Sequence, residues 1–351
     1  MLDKQKVDSI LDDYKKKFRI ATICSHSSLQ IFHGAKLEGI KTIGIVKEEN
    51  KKFYESFPEA KPDELIVVKD YSEIPVDKLV DKNAIIISHG SFVEYVGKKL
   101  DNLEVPIFGN RASLVWERSR EKMFDWMHKS GLRTPKLLKP EQIDRPVLVK
   151  FPGAKGGMGY IVVNSYDEFM QKVGPNKQCL IQEFIIGVRV YLHYFFSPFA
   201  KIGYPTKHGK LELMSVDRRR ESNADEIYRT LSIGAKGPKT KLSFTVVGND
   251  PIVIRESLLP EFMEMGASVS NTSHELFNGI FGPYCLETVI ADDLDVFSFE
   301  ISARIVAGTN LYPTGSPYSF YYYKKPMSTG RRIAVELKEA FKKNKIKDIV
   351  Y

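Results

Sequence analysis

The chain has 351 residues, and its hydrophobic fraction of 43% and charged fraction of 27% are typical of a globular protein with two or three domains. No stretch approaches the roughly 18 apolar residues that a membrane-spanning helix needs, and the charged start is not typical of a secretory signal. The net charge of +8 is spread along the chain, which argues against nucleic-acid binding, and three widely spaced cysteines favour a reducing cytoplasm.

The first third of the chain alternates strand and helix patterns. Apolar periodicity predicts strands at residues 19–23, 41–46 and 84–87, and helices at 29–38, 92–100 and 114–130. Strands that alternate with helices indicate a parallel sheet with crossover connections.

From residue 146 a smaller α+β pattern begins. It predicts strands at 147–151, 160–163 and 179–184, a helix near 167–173, and a glycine-rich turn at 153–159. Longer strands follow, with a helical region at 257–277 and an amphipathic helix at 331–343. We therefore predict a parallel α/β domain at 1–117, a smaller domain carrying the glycine-rich turn at 118–197, and a C-terminal domain at 198–351.

A candidate metal site lies in the last of these domains. Two alternating strands flank the acidic turn at 292–295, as in a β-hairpin. A turn centred just after Asp293 places Glu287 opposite Glu300, with Cβ atoms about 4.5–5.5 Å apart. Because like charges there are destabilising, the pair predicts a cation between them, and Mg²⁺ suits oxygen ligands best. Arg304, on the same face, could hold a phosphoryl oxygen. The alternative is a solvated hairpin, against which the apolar neighbours in both strands argue.

A candidate phosphate site lies in the smaller domain. The strand ending in Lys150 runs into the glycine-rich turn, which lacks the Gly-Lys-Ser/Thr of a P-loop and is followed by no helix. The pattern predicts a flap whose backbone amides close over phosphates, with Lys150 and Lys155 adding charge. A plain glycine-rich hairpin is the alternative. The strand at 179–184 also runs into a glycine turn and could offer backbone groups to an adenine edge.

Two Ser/His turns follow strands of the N-terminal sheet. One contains His26 and the other contains Ser91, and each precedes a predicted helix whose N-terminus can bind an anion. The carboxyl ends of parallel strands are where open α/β sheets bind ligands. A phosphorylated substrate fits both turns, but the serines could also serve only as N-caps.

The chain from about residue 118 to residue 310 resembles the ATP-grasp superfamily. The resemblance rests on the order of three features: Lys150 with its glycine-rich flap, the strand at 179–184, and the pair Glu287 and Glu300. The resemblance implies the ATP-grasp fold behind an N-terminal parallel-sheet domain, with Arg304 and Lys155 as catalytic residues and Glu287 and Glu300 binding Mg²⁺, or Mn²⁺ as an alternative. The ATP-binding residues that it implies include Lys122, Lys150, Gly156, Gly157, Gln182, Glu183, Phe184 and Ile185. Two departures are Ser302, where asparagine often stands, and Arg189, near where a ribose-binding acid is common.

The segments CSHSS, ISHGSFVEYVG, KFPGAKGGMGY, QEFIIGVRVYLHYFFSP and YCLETVI are more narrowly similar to the archaeal formate-dependent synthetase family of purine (IMP) biosynthesis. That family makes 5-formaminoimidazole-4-carboxamide ribonucleotide (FAICAR) from 5-aminoimidazole-4-carboxamide ribonucleotide (AICAR), formate and ATP. The resemblance implies that Glu221 belongs to the ATP site and that the chain forms a homo-oligomer, a trimer or a hexamer. The AICAR-binding residues that it implies are His26, Ser27, Ser91 and Asn249.

Three other functions remain open at this stage. The chain could be another ATP-grasp amine ligase that uses a larger carboxylate, or a paralogue with altered chemistry. It could also be a nucleotide-sensing or RNA-binding protein on a ligase scaffold. The combination of Glu287, Glu300 and Arg304 argues against a sensor, because adenine binding alone would not need it. We expect small-molecule substrates and neither a nucleic acid nor a membrane as partner.

Overall fold

The computed structural model describes residues 1–14, 17–151, 160–221 and 245–351. The α-helices in these ranges are α1 (Lys4–Asp13), α2 (Ser28–Leu37), α3 (Glu48–Glu55), α4 (Val76–Asp81), α5 (Arg111–Arg118), α6 (Arg120–Lys129), α7 (Tyr166–Lys172), α8 (Leu259–Phe277), α9 (Pro317–Tyr322) and α10 (Thr329–Lys342). The strands are β1 (Arg19–Ile23), β2 (Thr42–Val46), β3 (Glu64–Val67), β4 (Ala84–Ile86), β5 (Leu137–Leu138), β6 (Val147–Lys150), β7 (Tyr160–Val163), β8 (Leu180–Glu183), β9 (Val188–Ser197), β10 (Tyr204–Pro205), β11 (Lys210–Glu221), β12 (Val246–Pro251), β13 (Gly282–Ile290) and β14 (Val296–Ser302). None of the helices so described is long and apolar enough to cross a bilayer.

The N-terminal strands form a parallel sheet in the order β3-β2-β1-β4, as the sequence predicted. Both faces of this sheet are covered, which explains why its strands are apolar at nearly every position. Ile20 packs in a cluster with residues of α1, α2 and α10, whereas Ala21 and Ile23 pack on the opposite face. The carboxyl ends of β1 and β4 carry the two Ser/His turns.

The smaller antiparallel sheet has the order β5-β8-β6-β7, with α7 against one face. Val147 and Val149 of β6 are buried against Phe169 of α7, and the next residue along, Lys150, is the last residue of the strand. The predicted flap at residues 153–159 lies outside the described residues, and with it the proposed roles of Lys155, Gly156 and Gly157.

The largest sheet has the order β10-β11-β9-β13-β14, and β12 pairs with β11. Leu192 and Tyr194 of β9 pack under α8, and the alternate residues Tyr191 and His193 face the other way. Because β9 pairs with both β11 and β13, its hydrogen bonds belong to this sheet and not to the smaller one. The predicted domain limits at 117 and 197 stay predictions.

Two predicted helices differ in form from the expectation. The segment predicted as a helix at 92–100 is a π-helical turn, Phe92–Val96, followed by a 3₁₀ turn, Gly97–Asn102. The segment predicted as one helix at 114–130 is the pair α5 and α6. Ser119 separates them because its backbone is extended and its hydroxyl caps α6 by accepting from the Lys122 N–H at 3.4 Å.

The C-terminal helix α10 joins the N-terminal domain to the largest sheet through a buried charge network. Arg332 contacts Glu212 of β11 at 2.9 Å and Glu336 one turn further along α10 at 2.7 Å, and none of the three side chains is more than 4% exposed. Tyr323 donates its hydroxyl to Glu212, and the Ser197 hydroxyl donates to Glu336. Each charge in this network therefore has a hydrogen-bonding partner, which buried charges require.

Candidate active site

A cleft of about 590 Å³ opens where the three sheets meet. The N-terminal domain contributes His26 and Gly90 from the ends of its strands, and α5 and α6 contribute Glu117, Arg118 and Arg120. The other polar side chains of the lining are Glu94 of the N-terminal domain, Arg304 just after β14, and residues of the smaller and the largest sheets: Lys150, Gln182, Glu183, Arg189, Tyr191, Arg219, Glu221, Asn249, Glu287 and Glu300.

The hairpin of β13 and β14 pairs Glu287 directly with Glu300, so this predicted pair is confirmed, whereas the pairs nearer the turn are shifted by one residue from the predicted register. A bulge follows immediately, because Thr288 pairs with Ser298 and leaves Phe299 unmatched. Glu287 is only 2% exposed, whereas Glu300 is partly buried at the cleft wall. Burial and the neighbouring charge of Glu287 raise the pKa of Glu300, as expected for two facing carboxylates.

The carboxylate pair has the donor chemistry of a Mg²⁺ site. In the described parts of the chain, no group of three or more His, Cys, Asp or Glu side chains could hold a metal by itself. Mg²⁺ is usually bound by one or two carboxylates, and phosphate and water oxygens complete its coordination. Glu287 and Glu300 therefore fit the part of such a site that a protein supplies.

Arginines and a serine surround this pair. Arg219 donates to Glu287 Oε1 at 2.6 Å, and the Ser302 hydroxyl donates to the same oxygen at 3.2 Å. Arg304 makes an ion pair of 3.1 Å with Glu117, whose pKa is raised by burial. Sequence reasoning did not identify Glu117, because it lies on α5, far from the hairpin in the chain.

Lys150 lies close to the carboxylate pair. Its ammonium is 5.7 Å from the centre of the Phe299 ring. Burial lowers the pKa of Lys150 to about 8, with Arg120 and Arg189 contributing and Glu300 acting in the opposite direction. The lysine before the flap and the acidic hairpin, about 150 residues apart in the chain, thus face the same space.

The predicted adenine strand β8 borders the same cleft. Gln182, Glu183, Phe184 and Ile185 all line it. The Gln182 side chain is 3% exposed, and within the described residues its Oε1 has no hydrogen-bonding partner. Glu183 instead turns toward the main chain and accepts from the Lys136 N–H at 3.2 Å.

Arg189, which lies near where ATP-grasp enzymes commonly have a ribose-binding acid, is paired with an acidic residue. Arg189 forms an ion pair with Glu221, which the resemblance assigns to the ATP site, and both side chains line the cleft. The predicted residue Lys122 is elsewhere: it is exposed on α6, with its ammonium 5.6 Å from the centre of the Trp116 ring. On the same helix, Arg120 lines the cleft in its place.

The two Ser/His turns meet at the far end of the cleft. The His26 ring stacks on the His89 ring with centroids 5.2 Å apart, and His26 Nδ1 is 2.7 Å from the Ser27 hydroxyl. The Ser91 hydroxyl donates to the Ser25 hydroxyl at 2.9 Å. Neither Ser27 nor Ser91 caps its helix through its side chain. The alternative hypothesis that these serines serve only as N-caps is therefore wrong.

His26 has unusual backbone and electrostatic properties. Its φ of 54° lies in the left-handed region, which turns the ring toward Gly90. Although the ring borders the open cleft, the surrounding protein lowers the pKa of His26 well below its ordinary value, and His89, Arg304 and Arg219 act in the same direction. The imidazole is therefore neutral at pH 7 and can accept a hydrogen bond from a ligand.

Asn249 is held by a buried polar chain. Its side-chain amide donates to Asp217 at 2.7 Å, and the other Asp217 oxygen is 2.5 Å from His193 Nε2. Asp217 and His193 are at most 2% exposed. Gly308 packs so closely on the Asp217 carboxylate that any side chain there would collide with it. These contacts fix the direction in which Asn249 faces the cleft.

Two family models match the chain: "Protein of unknown function (DUF1246)" over residues 20–138 and "Domain of unknown function (DUF1297)" over residues 168–351. The curated 5-formaminoimidazole-4-carboxamide-1-(beta)-D-ribofuranosyl 5′-monophosphate synthetase of Methanococcoides burtonii is 50% identical over 356 residues, which cover 99% of each chain. The chain belongs to this synthetase family.

Solved structures agree with this family and show the fold. The IMP biosynthesis protein PurP from Thermococcus kodakaraensis superposes with a TM-score of 0.76 and 31% identity, covering 95% of this chain and 100% of that chain. N5-carboxyaminoimidazole synthetase from Staphylococcus aureus, complexed with ADP, superposes with a TM-score of 0.59 and 13% identity, covering 92% and 78%. The predicted ATP-grasp fold with an N-terminal parallel-sheet domain is confirmed, and the chain is an ATP-grasp ligase of the synthetase family.

Proposed function

We propose that this protein joins formate to the 5-amino group of AICAR, using ATP and releasing FAICAR, ADP and phosphate. The observation that carries the proposal is that one cleft contains both the Glu287–Glu300 pair and the His26–Asn249 end. A phosphoryl-transfer apparatus and a pocket for a second substrate thus lie within reach of each other. The family relationship supports the same reaction, because the M. burtonii relative is named as a synthetase of the formylated nucleotide.

ATP is proposed to lie between the smaller sheet and the hairpin. Phe184 and Ile185 would border the adenine, and the unpartnered Gln182 Oε1 could accept from its amino group. Lys150 faces the space beside Glu300 and would hold phosphate oxygens, while Arg189 pairs with Glu221 nearer the ribose. Roles for Lys122, Lys155, Gly156 and Gly157 remain predictions from the sequence.

Mg²⁺, or Mn²⁺ in its place, is proposed to be held by Glu287 and Glu300. The ion would neutralise charge on the phosphates and hold them in line with the attacking oxygen. The protein's own part is to keep the two carboxylates facing each other in the β13–β14 ladder.

AICAR is proposed to occupy the end of the cleft lined by His26 and Asn249. The neutral imidazole accepts hydrogen bonds, and the Asn249 amide is oriented by Asp217. The hydroxyls of Ser27 and Ser91 are buried in the same pair of turns, behind the cleft surface, and the N-terminus of α2 would bind the AICAR phosphate.

The reaction then proceeds in two steps. A formate oxygen attacks the γ-phosphorus of ATP, the bond from phosphorus to the bridging oxygen of ADP breaks, and formyl phosphate forms. The amine of AICAR attacks the formyl carbon, the bond from that carbon to the phosphate oxygen breaks, and the amine loses a proton. Arg304 and Lys150 place positive charge where the phosphoryl oxygens carry negative charge, which is the main protein contribution to such transfers.

Three further points extend the proposal. We place the enzyme in the cytoplasm, where its substrates are made and where unpaired cysteines such as Cys24 and Cys285 remain reduced. We propose a homo-oligomer, a trimer or a hexamer, from the family resemblance. We also propose that the smaller domain, predicted at 118–197, closes as a lid so that water does not hydrolyse formyl phosphate.

The proposed function is tested by measuring ADP release and the formylated nucleotide together. The enzyme is incubated with MgATP and AICAR, and with formate, acetate or 10-formyltetrahydrofolate. We expect product only with formate and ATP, because a pocket without room for a methyl group can exclude acetate by roughly 10–200-fold. Equal ADP release with acetate would favour a ligase for a larger acid. Product from the folate without ATP would contradict the proposal.

Replacing Lys150 with methionine is expected to weaken ATP binding about 10- to 150-fold, since a hydrogen bond to a charged group contributes about 1.5–3 kcal/mol. The measurement is calorimetric titration with a non-hydrolysable ATP analogue. Lys172→Met is the matched control, because Lys172 belongs to the same domain but pairs with Glu168 on an exposed helix. Unchanged affinity in Lys150→Met would show that the lysine does not reach the nucleotide.

A further inference from the structure

Arg219 is positioned by β11 at the middle of the cleft. The backbone of β11 bulges at Met214, between Leu213 and Ser215. After the bulge, Arg219 and Glu221 line the cleft, and the buried Asp217 lies two residues before Arg219. The Arg219 guanidinium lies 4.0 Å from the centre of the Tyr191 ring, and its side chain is 25% exposed.

This position lies between the two proposed substrates. In the β11–β12 ladder Arg219 pairs directly with Asn249, which lies at the AICAR end. The tip of its side chain reaches Glu287 at 2.6 Å, at the metal end. Formate must react with the γ-phosphate near Glu287 and then with the amine near Asn249, so its place is beside Arg219.

Arginines that line the cleft differ in whether the carboxylate they pair with would also bind the metal ion. Arg304 is paired with Glu117, and Arg118 with Asp101, and neither acid belongs to the proposed metal pair. Arg219 is paired with Glu287, which a metal ion would also bind. A divalent ion is the stronger competitor for that carboxylate, so metal binding leaves the Arg219 guanidinium without its anion.

We propose, building on the proposed function, that Arg219 binds the carboxylate of formate after the metal ion has taken Glu287 from it. A guanidinium presents two parallel N–H donors that match a carboxylate, and the Tyr191 ring beneath it keeps the fork oriented. The same contact holds the carbonyl oxygen of formyl phosphate while the amine attacks. Arg219 thus ties formate binding to prior metal binding.

The test uses Arg219→Gln, with Arg218→Gln as the matched control. Arg218 is the neighbour on the same strand, but its side chain points to Asp250, at 3.2 Å. Three quantities are measured on the whole chain: Mn²⁺ affinity without nucleotide, AICAR affinity by calorimetry, and the formate KM at saturating ATP and AICAR.

Arg219→Gln is expected to raise the formate KM about 10- to 100-fold, the effect of losing a charge-assisted contact. Because Arg219 no longer competes for Glu287, Mn²⁺ is expected to bind more tightly, by about tenfold. AICAR affinity is expected to stay within about twofold, since the Asn249 side chain is held by Asp217 and not by Arg219. Arg219→Lys keeps the charge but not the fork, so it should restore the Mn²⁺ affinity and not the formate KM.

An unchanged formate KM in Arg219→Gln, or a fall in AICAR affinity as large as that for formate, would overturn the assignment. Weaker Mn²⁺ binding in that variant would overturn the competition for Glu287. If the wild-type enzyme releases no ADP with formate, the proposed function is wrong, and so is the proposed contact between Arg219 and formate. The Mn²⁺ titrations of the two variants then still decide whether Arg219 and the metal compete.

Discussion

Replacing Glu300 with glutamine is expected to reduce formate-dependent ADP release about a thousandfold or more. Metal-ion stabilisation of a phosphoryl transfer contributes several kcal/mol, and each 1.36 kcal/mol changes the rate about tenfold. Glutamine keeps the shape of the side chain and removes the charge that faces Glu287 across the ladder. The fold should therefore remain intact while the metal loses one of its two protein ligands. Single-turnover ADP formation and Mn²⁺ titration measure both effects.

A control on the same hairpin distinguishes the loss of a charge at the proposed metal site from the loss of a charge elsewhere on the hairpin. Asp292 lies in the exposed turn between the two strands, and Asp292→Asn removes an equal charge without touching the ladder pair. This control should retain nearly full activity. AICAR affinity should be unchanged in both variants, because His26 and Asn249 lie at the other end of the cleft. Turnover near the wild-type rate in Glu300→Gln would show that the pair is not the metal site.

Replacing Glu212 with alanine is expected to lower the free energy of unfolding by about 3–5 kcal/mol, the cost of removing one partner from a buried ion pair. Glu212 is fully buried and contacts Arg332 through both of its oxygens. Its removal leaves a buried guanidinium with Glu336 as the remaining carboxylate partner of this network. Denaturation by urea, followed by circular dichroism, measures the loss.

The matched control for this variant is Glu339→Ala on the same helix as Arg332. Glu339 pairs with Lys343 at 3.6 Å, and both side chains are more than 40% exposed. Exposed pairs of this kind contribute about 0–1 kcal/mol, so the control should change little. Equal losses in the two variants would mean that the network at Arg332 is solvated and does not hold α10 on the largest sheet.

The local pattern of the sequence was sufficient for the sheet type and for the β-hairpin that carries the two glutamates. Alternation of strands and helices before residue 110 predicted the parallel sheet, because parallel strands need crossover connections. The sequence prediction that Glu287 faces Glu300 is correct, but the bulge between this pair and the turn was not predicted. The turn is centred at Asp293 and not just after it, and the extra residue Phe299 offsets that difference. The motifs also led to the ATP-grasp fold, because the resemblance depends on their order along the chain and not on the distances between them in space.

Only the tertiary structure decided which charges face one another in the cleft. Arg304 pairs with Glu117 and Arg219 pairs with Glu287, although 187 and 68 residues respectively separate these partners, a distance over which no local periodicity operates. The bulge at Met214 decides which face of β11 carries Arg219, and the break at Ser119 starts α6 so that Arg120, not Lys122, lines the cleft. Such pairings arise from how separate elements pack, and packing depends on the whole chain at once.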